Sequence, residues 1–420
     1  MTRAPARAML ASSMRFSSPS RGFVLLYALA YAGMFVSFMP FIMVLLPLKV
    51  TAVGGENAVA LLSAGALGGA AVASVANILF GALSDRSYRR GGSRRGWIIG
   101  GLGVLALGYA ALHFSSSSVT LLAAVALIQV GINMSFAPLT TIMADEVPDA
   151  QKGVVAGLLG VAHPIGAFSA VLLTAPGLGG EGTRYALLCL LFVGMIAPFA
   201  ALMREAAPLM REAAPLPPPP PEPLQERRRR DFALAWTSRM LLQVAGNGIA
   251  TYGFFYFLWV LDREDLSKSS VEANPIVATM TVSTLVAVVL TLVAGRLSDR
   301  VMRRKPFLAA AACVMAGGLV TMAFAHSWGV AALGHAAALS GLSVFLAMHS
   351  ALAMQLLPSP EHRGRDLGIL NLTNTLPAMV APLLALALAP EKTGYTVWLI
   401  ALALGTLAGG GIAMAVRTQD

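Results

Sequence analysis

Residues 81–97 read GALSDRSYRRGGSRRGW, a charged island between two apolar runs, and its opening pattern returns as GRLSDR at 295–300. The flanking runs, 57–82 and 96–114, are each close to the ~20 residues that cross a hydrocarbon core of roughly 30 Å as a helix. The island is therefore a loop at one face of a membrane. Its second copy marks the same place in a second unit.

Working outward, long apolar stretches recur along almost the whole chain. Of its 420 residues 57% are hydrophobic and only 12% charged, too little charge to cover a water-soluble protein of this size. The pattern predicts twelve membrane-spanning helices. Six lie near 22–46, 57–82, 96–114, 118–143, 152–174 and 184–203. Six more lie near 232–261, 273–295, 307–326, 328–354, 366–389 and 395–416. The 41 glycines, many inside spans, suit close helix packing in lipid. The short alternating segments of a membrane barrel do not occur.

A net charge of +10 would suggest nucleic acid in a soluble protein, but its distribution excludes that. With the N-terminus inside, 24 of the 30 Lys and Arg lie in cytoplasmic segments, five in outer loops, and Arg239 within a span. This is the positive-inside bias, so both termini are expected in the cytoplasm. Residues 1–21 carry Arg3, Arg7, Arg15 and Arg21 without the apolar core of a signal peptide and read as a cytoplasmic tail. Cys189 and Cys313, isolated within helices, form neither a disulfide framework nor a metal site.

The chain divides into a tail (1–21), a six-helix bundle (22–203), a linker (204–231), a second six-helix bundle (232–416) and a short cytoplasmic tail (417–420). The linker repeats MREAAPL at 203–209 and 210–216, then runs through five prolines to Arg227–Arg230, a composition that stays extended and semi-rigid. The arginines read as a topology anchor on anionic headgroups. VPDAQKG (147–153) enters helix 5 as LPSPEHRG (357–364) enters helix 11. Matching motifs at matching places indicate a duplicated unit and two pseudo-symmetric bundles.

On these residues the chain resembles the major facilitator superfamily over essentially its whole length. The signature of that family is carried by Gly81, Asp85, Arg86, Arg89 and Arg90, and more weakly by Gly295, Asp299, Arg300, Arg303 and Arg304. The longer form with Arg94 and Arg95 before Trp97 is similar to the sucrose and glycoside–cation symporter branches. The resemblance implies transport by alternating access. It also implies that helices 1, 4, 5, 7, 8, 10 and 11 line the central cavity. An Asp at the end of helix 2 can meet the N–H groups and positive dipole end of helix 11, and Asp299 those of helix 5, as gates. Gly81 and Gly295 would then allow close helix approach. Many proton-coupled members carry an Arg in helix 4; here VALIQVGINMSF (125–136) has none. GLLGVAHPIGAF (157–168) is a loose match to the motif of antiporters.

All 20 Asp and Glu fall in loops or at helix ends. A proton carrier inside the bundle must then be a His or a helix-end acid. His163, mid-span before Pro164, is the candidate, since it titrates near neutral pH; the alternative is a neutral His bonded to a neighbouring helix. His335 and His349 read as packed neutral residues. Arg239, about 12 Å along helix 7 from Asp231, calls for an acidic partner such as Asp145, Glu146 or Asp366, or else for an anionic substrate. Gln129, Asn133, Gln243, Asn247, Asn371 and Asn374, with Tyr27, Tyr31, Tyr252 and Trp259, suit a neutral, hydroxyl-rich ligand; the alternative is hydrogen bonding between helices.

No GxxxxGKS loop, HExxH, GxSxG or paired intramembrane acids occur, which argues against an ATP-driven carrier or a membrane enzyme. The expectation is a monomeric transporter in the bacterial cytoplasmic membrane, without cofactor or metal. Its partners would be lipid, a small-molecule substrate, sugar-like by preference, and protons or another cation if transport is coupled. Efflux of a drug or metabolite, or a transporter-like sensor or assembly protein, are the competing readings.

Overall fold

The computed structural model describes residues 21–90, 92–147, 155, 158–159, 161–175, 177–203, 222–263, 273–301, 305–356, 369–370, 372–388 and 394–417. Among them are twelve helical spans. α1 runs over Arg21–Pro40, through a π-helical segment Phe41–Leu45, to Leu46–Gly54. α2 is Ala58–Arg89, α3 Arg95–Phe114, α4 Ser118–Glu146, α5 Ala162–Leu173 and α6 Glu181–Leu202. The second half contains α7 (Glu222–Arg263), α8 (Ala273–Val301), α9 (Lys305–Ala323) and α10 (Trp328–Gln355). It ends with α11 (Leu372–Leu388) and α12 (Tyr395–Ala415).

The two halves pack by one scheme. In the first, α3 lies on α4, α2 on α4, α1 on α5 and α6, and α3 on α6. In the second, α9 lies on α10, α8 on α10, α7 on α11 and α12, and α9 on α12. Each pair recurs six helices later, the packing counterpart of the sequence repeat. The tightest crossings recur as well. A Cβ on Gly131 of α4 would sit 2.6 Å from the Leu105 backbone nitrogen, and one on Gly341 of α10 would sit 2.5 Å from the Ala311 carbonyl oxygen. Both sites admit only glycine, because the opposing atom is backbone and cannot swing away.

Several helix ends depart from expectation. α1 does not stop near 46. Pro40 and Pro47 withhold two amide hydrogens, the Leu46 N–H donates to Phe41 O in a π-type bond, and the helix then continues to Gly54. Lys49 is thereby drawn into the fold. It is 8% exposed and held by Glu181 at 3.2 Å and by the His113 carbonyl at 2.7 Å, tying α1, α3 and α6 together. α7 begins at Glu222 rather than 232, so the last part of the expected linker is helical. Pro223 is tolerated there because a first-turn residue has no helical acceptor for its N–H. α4 starts on a capping box between Ser117 and Thr120.

One end of the bundle carries Arg86, Arg94, Arg229 and Arg230 and is called here the basic end. The halves meet across α2–α11 and α5–α8, and α7 touches the π segment of α1. Described polar contacts between the halves lie toward the far end. Ser63 and Tyr252 share a 2.7 Å hydrogen bond, and the Thr281 hydroxyl donates to Ala167 O at 3.0 Å. Toward the basic end the facing surfaces part: Asn77, Ser350 and Asn374 are exposed. Among the described residues no atom lies within 4 Å of a Cβ built on Gly81, and one built on Gly295 meets only the tip of Met348 at 4.0 Å. Neither glycine is at the close helix approach expected of it in this state. Among the described residues, the halves touch toward the far end and part toward the basic end, leaving a cleft between them.

Candidate functional site

The second half supplies the polar wall of the cleft. α7 buries one face, where the Ser238 hydroxyl donates to Gly409 O and Leu242 crowds Gly409 of α12. Arg239, Gln243 and Asn247 recur at four-residue spacing on another face and are only partly buried. The Arg239 guanidinium donates to Ser350 Oγ of α10 at 3.1 Å and to Asn374 Oδ1 of α11 at 3.2 Å. Gln243 Nε2 donates to the same Asn374 oxygen at 2.9 Å, and Asn247 Nδ2 donates to Gln243 O at 2.9 Å. Among the described residues no carboxylate lies within salt-bridge distance of Arg239; Asp366 and the side chains of Asp145 and Glu146 lie outside them. A guanidinium this deep costs at least ~2.5–3.5 kcal/mol even on lenient insertion scales. Two neutral groups, Ser350 and Asn374, hold it in place without neutralising it.

The first half supplies an aromatic wall. Tyr31 packs on Phe35 and Phe136 with ring centroids 5.5 and 5.4 Å apart, and Phe35 meets the His163 ring at 6.0 Å. At about 100° per residue, His163 lies on the side of α5 opposite Val161, Ile165, Phe168 and Leu172. Those four apolar residues are exposed and form the lipid-facing stripe. His163 is itself exposed, so it faces inward, toward the cleft. Gln129, half-buried on α4, leans on Gly69 of α2.

Other expected cavity residues are placed elsewhere. Tyr27 is fully buried and its hydroxyl donates to Leu139 O at 3.0 Å. Tyr252 is fully buried at the contact with Ser63. Trp259 packs among Tyr256 and Tyr395 at the far end. Asn133 is 8% exposed, donating to Gln129 O and accepting from Asn77. Helical periodicity brings all four to an interior face, but it does not say whether that face meets a neighbouring helix or the cleft. Asn371 lies outside the described residues. Ser350 and Asn77 were not anticipated; a serine or asparagine in an apolar run carries no signal of its neighbours.

The loop motif forms a latch of its own. Asp85 accepts from Arg94 at 3.0 Å, and the Arg94 guanidinium stands 4.2 Å over the Tyr88 ring. Arg86 and Arg90 are exposed, as are Arg300 and Arg296 in the second copy. Residues 357–368 and 371, Arg303, Arg304 and the side chains of Arg89 and Asp299 lie outside the described residues. His349 is buried with Nε2 2.8 Å from Ala235 O, and His335 packs edge-on against Phe257.

This architecture recurs in solved transporters. A bacterial homologue of the lysosomal transporter Spinster, in an inward-facing and occupied state, superposes with a TM-score of 0.66 at 15% identity, covering 95% of this chain and 96% of its own. A nucleoside transporter gives 0.71 at 11% identity over 94% and 100%. A D-xylose–proton symporter gives 0.64 at 15% over 95% and 99%. No curated protein sequence matches the chain. The sequence profile of the Major Facilitator Superfamily matches residues 23–280 and 270–420, nearly the whole length. With twelve helices in two repeated bundles around a cleft, the chain belongs to the Major Facilitator Superfamily and is a multi-pass secondary transporter of small solutes rather than an enzyme.

Proposed function

We propose that the protein carries a hydroxylated, sugar-like organic solute across the bacterial cytoplasmic membrane by alternating access, with its basic end in the cytoplasm. The observation that carries this reading is the row Arg239, Gln243 and Asn247, joined by Ser350 and Asn374, on the wall of a cleft open at one end. Amide groups in that setting exchange hydrogen bonds with hydroxyls, and the aromatic wall at Tyr31, Phe35 and Phe136 offers faces on which a sugar ring packs. The similarity of residues 85–97 to the glycoside–cation branches supports the same class. The charge bias supports the orientation, and His163 is the residue through which a proton would couple.

Thermal-shift measurement on the purified protein against sugars, glycosides and amphiphilic drugs tests the class, because a ligand that binds the folded state raises its stability by mass action. Stabilisation by a sugar or glycoside, followed by its exchange in proteoliposomes, is the expected result. Stabilisation by drugs alone would replace this reading with efflux.

A further inference from the structure

We propose that Arg239 binds a carboxylate of the transported solute, so that the substrate is a hydroxylated organic acid rather than a neutral sugar. This rests on the transport reading above and sharpens it.

The argument begins with how the chain treats its other enclosed cations. Lys49, 8% exposed, is paired with Glu181 at 3.2 Å; Arg94, 4% exposed at its side chain, is paired with Asp85 at 3.0 Å. In both, the fold supplies a carboxylate. Arg239 differs in its partners, which are a serine hydroxyl and an asparagine oxygen. The surroundings offer no hidden counter-charge among the described residues. His349, the nearest titratable group on α10, is occupied with Ala235 O. The Asn374 oxygen already accepts from both Arg239 and Gln243. The two groups that hold the guanidinium, Ser350 and Asn374, are themselves exposed in the cleft, so the cation sits where a solute arriving from the basic end would meet it.

A planar guanidinium presents donors matched to a two-oxygen anion. Among the described residues no second Lys or Arg approaches this wall. One positive charge balances a carboxylate at −1 but not a phosphate monoester, which carries about −1.5 to −2 at neutral pH. Gln243 and Asn247, one and two turns farther along α7, lie where hydroxyls of the same molecule would reach. The pairing also gives binding a role in the cycle. Closing the basic end over a bare guanidinium would strip it of water without a counter-ion, whereas the loaded site closes as a neutral pair. Empty carrier would therefore return slowly and exchange would outpace net flux.

The test uses full-length protein in detergent and in proteoliposomes, with D-gluconate and D-glucuronate as acids, D-glucose and a methyl glucoside as neutral probes, and glucose 6-phosphate. The acids should raise the unfolding midpoint and exchange across the membrane, and the neutral sugars should do neither. Arg239→Gln should weaken acid binding by at least tenfold. Asn374→Asp guards against a folding defect: it places a carboxylate beside Arg239, and should raise the unliganded midpoint while removing the response to acids. Equal binding of neutral sugars by wild type and Arg239→Gln would overturn this proposal and leave the transport reading standing. Preference for glucose 6-phosphate would overturn the carboxylate assignment alone. Absence of binding and exchange for every compound would overturn both readings.

Discussion

Asp85 is held by Arg94 within its own loop, at 3.0 Å, with the guanidinium almost fully buried and the carboxylate about a third exposed. The acid to which the resemblance assigns a gating role is thus engaged here by a residue nine positions along the chain.

Asp85→Asn removes the charge from the group to which Arg94 donates; a hydrogen bond to a charged group is worth about 1.5–3 kcal/mol. A barrier change of about 1.4 kcal/mol, close to the low end of that range, slows a step roughly tenfold. The expected outcome is a transport rate reduced by that order with ligand-induced stabilisation retained, since Asp85 lies far from Arg239. Proteoliposome flux and thermal shift read the two effects separately. Unchanged flux would remove Asp85 from the gate.

Tyr252→Phe addresses the opposite end. The Tyr252 hydroxyl meets Ser63 Oγ across the two halves, and Ser63 keeps its bond to Val59 O when the tyrosine oxygen is gone. Loss of this hydrogen bond, ~0.5–1.5 kcal/mol, is roughly a twofold to tenfold shift toward states open at the far end. Distance distributions between spin labels at Glu56 and a residue near 394 should broaden to longer values in the variant. Identical distributions would show that the contact does not hold the far end shut.

The orientation is testable with single cysteines in a background lacking Cys189 and Cys313. Positions in 91–93 and at Arg229 should be shielded from an impermeant thiol reagent in intact cells, and Glu56 and residues 264–272 should react. The motive is the 24-to-5 charge bias. Lys49, past the expected end of helix 1 at 46, is unsuitable because it is buried in α1. The reverse labelling pattern would invert the topology.

The spans were legible in the sequence because lipid demands long apolar runs, and the duplication was legible because it left matching motifs. Contacts that depend on a helix's partner were not. Tyr27 and Tyr31 are one turn apart on α1, yet one is sealed against Leu139 and the other lines the cleft. Lys49 lies past the apolar run of helix 1, and nothing beside it in the sequence points to its partner, Glu181, 132 positions away. The polar set on α7 was named from the sequence, but its joining to Ser350 through Arg239 depends on how α10 is rotated.

His163 carries the last prediction. It lies on α5 away from the lipid-facing stripe, beside Phe35, and is exposed in the state open at the basic end. The contacts between α5 and α8 would have to rearrange when the cleft changes sides, so the hydration of this imidazole would differ between the two states. A group that titrates near neutral pH and changes its hydration through the cycle can bind a proton on one side and release it on the other. No Asp or Glu occupies a mid-span position to do this instead. His163→Gln keeps a donor and an acceptor but cannot titrate in that range. It is expected to abolish accumulation driven by a pH gradient while leaving solute exchange intact. Undiminished accumulation by His163→Gln proteoliposomes under the same gradient would sink the assignment, and the coupling, if any, would then pass through a helix-end acid or another ion.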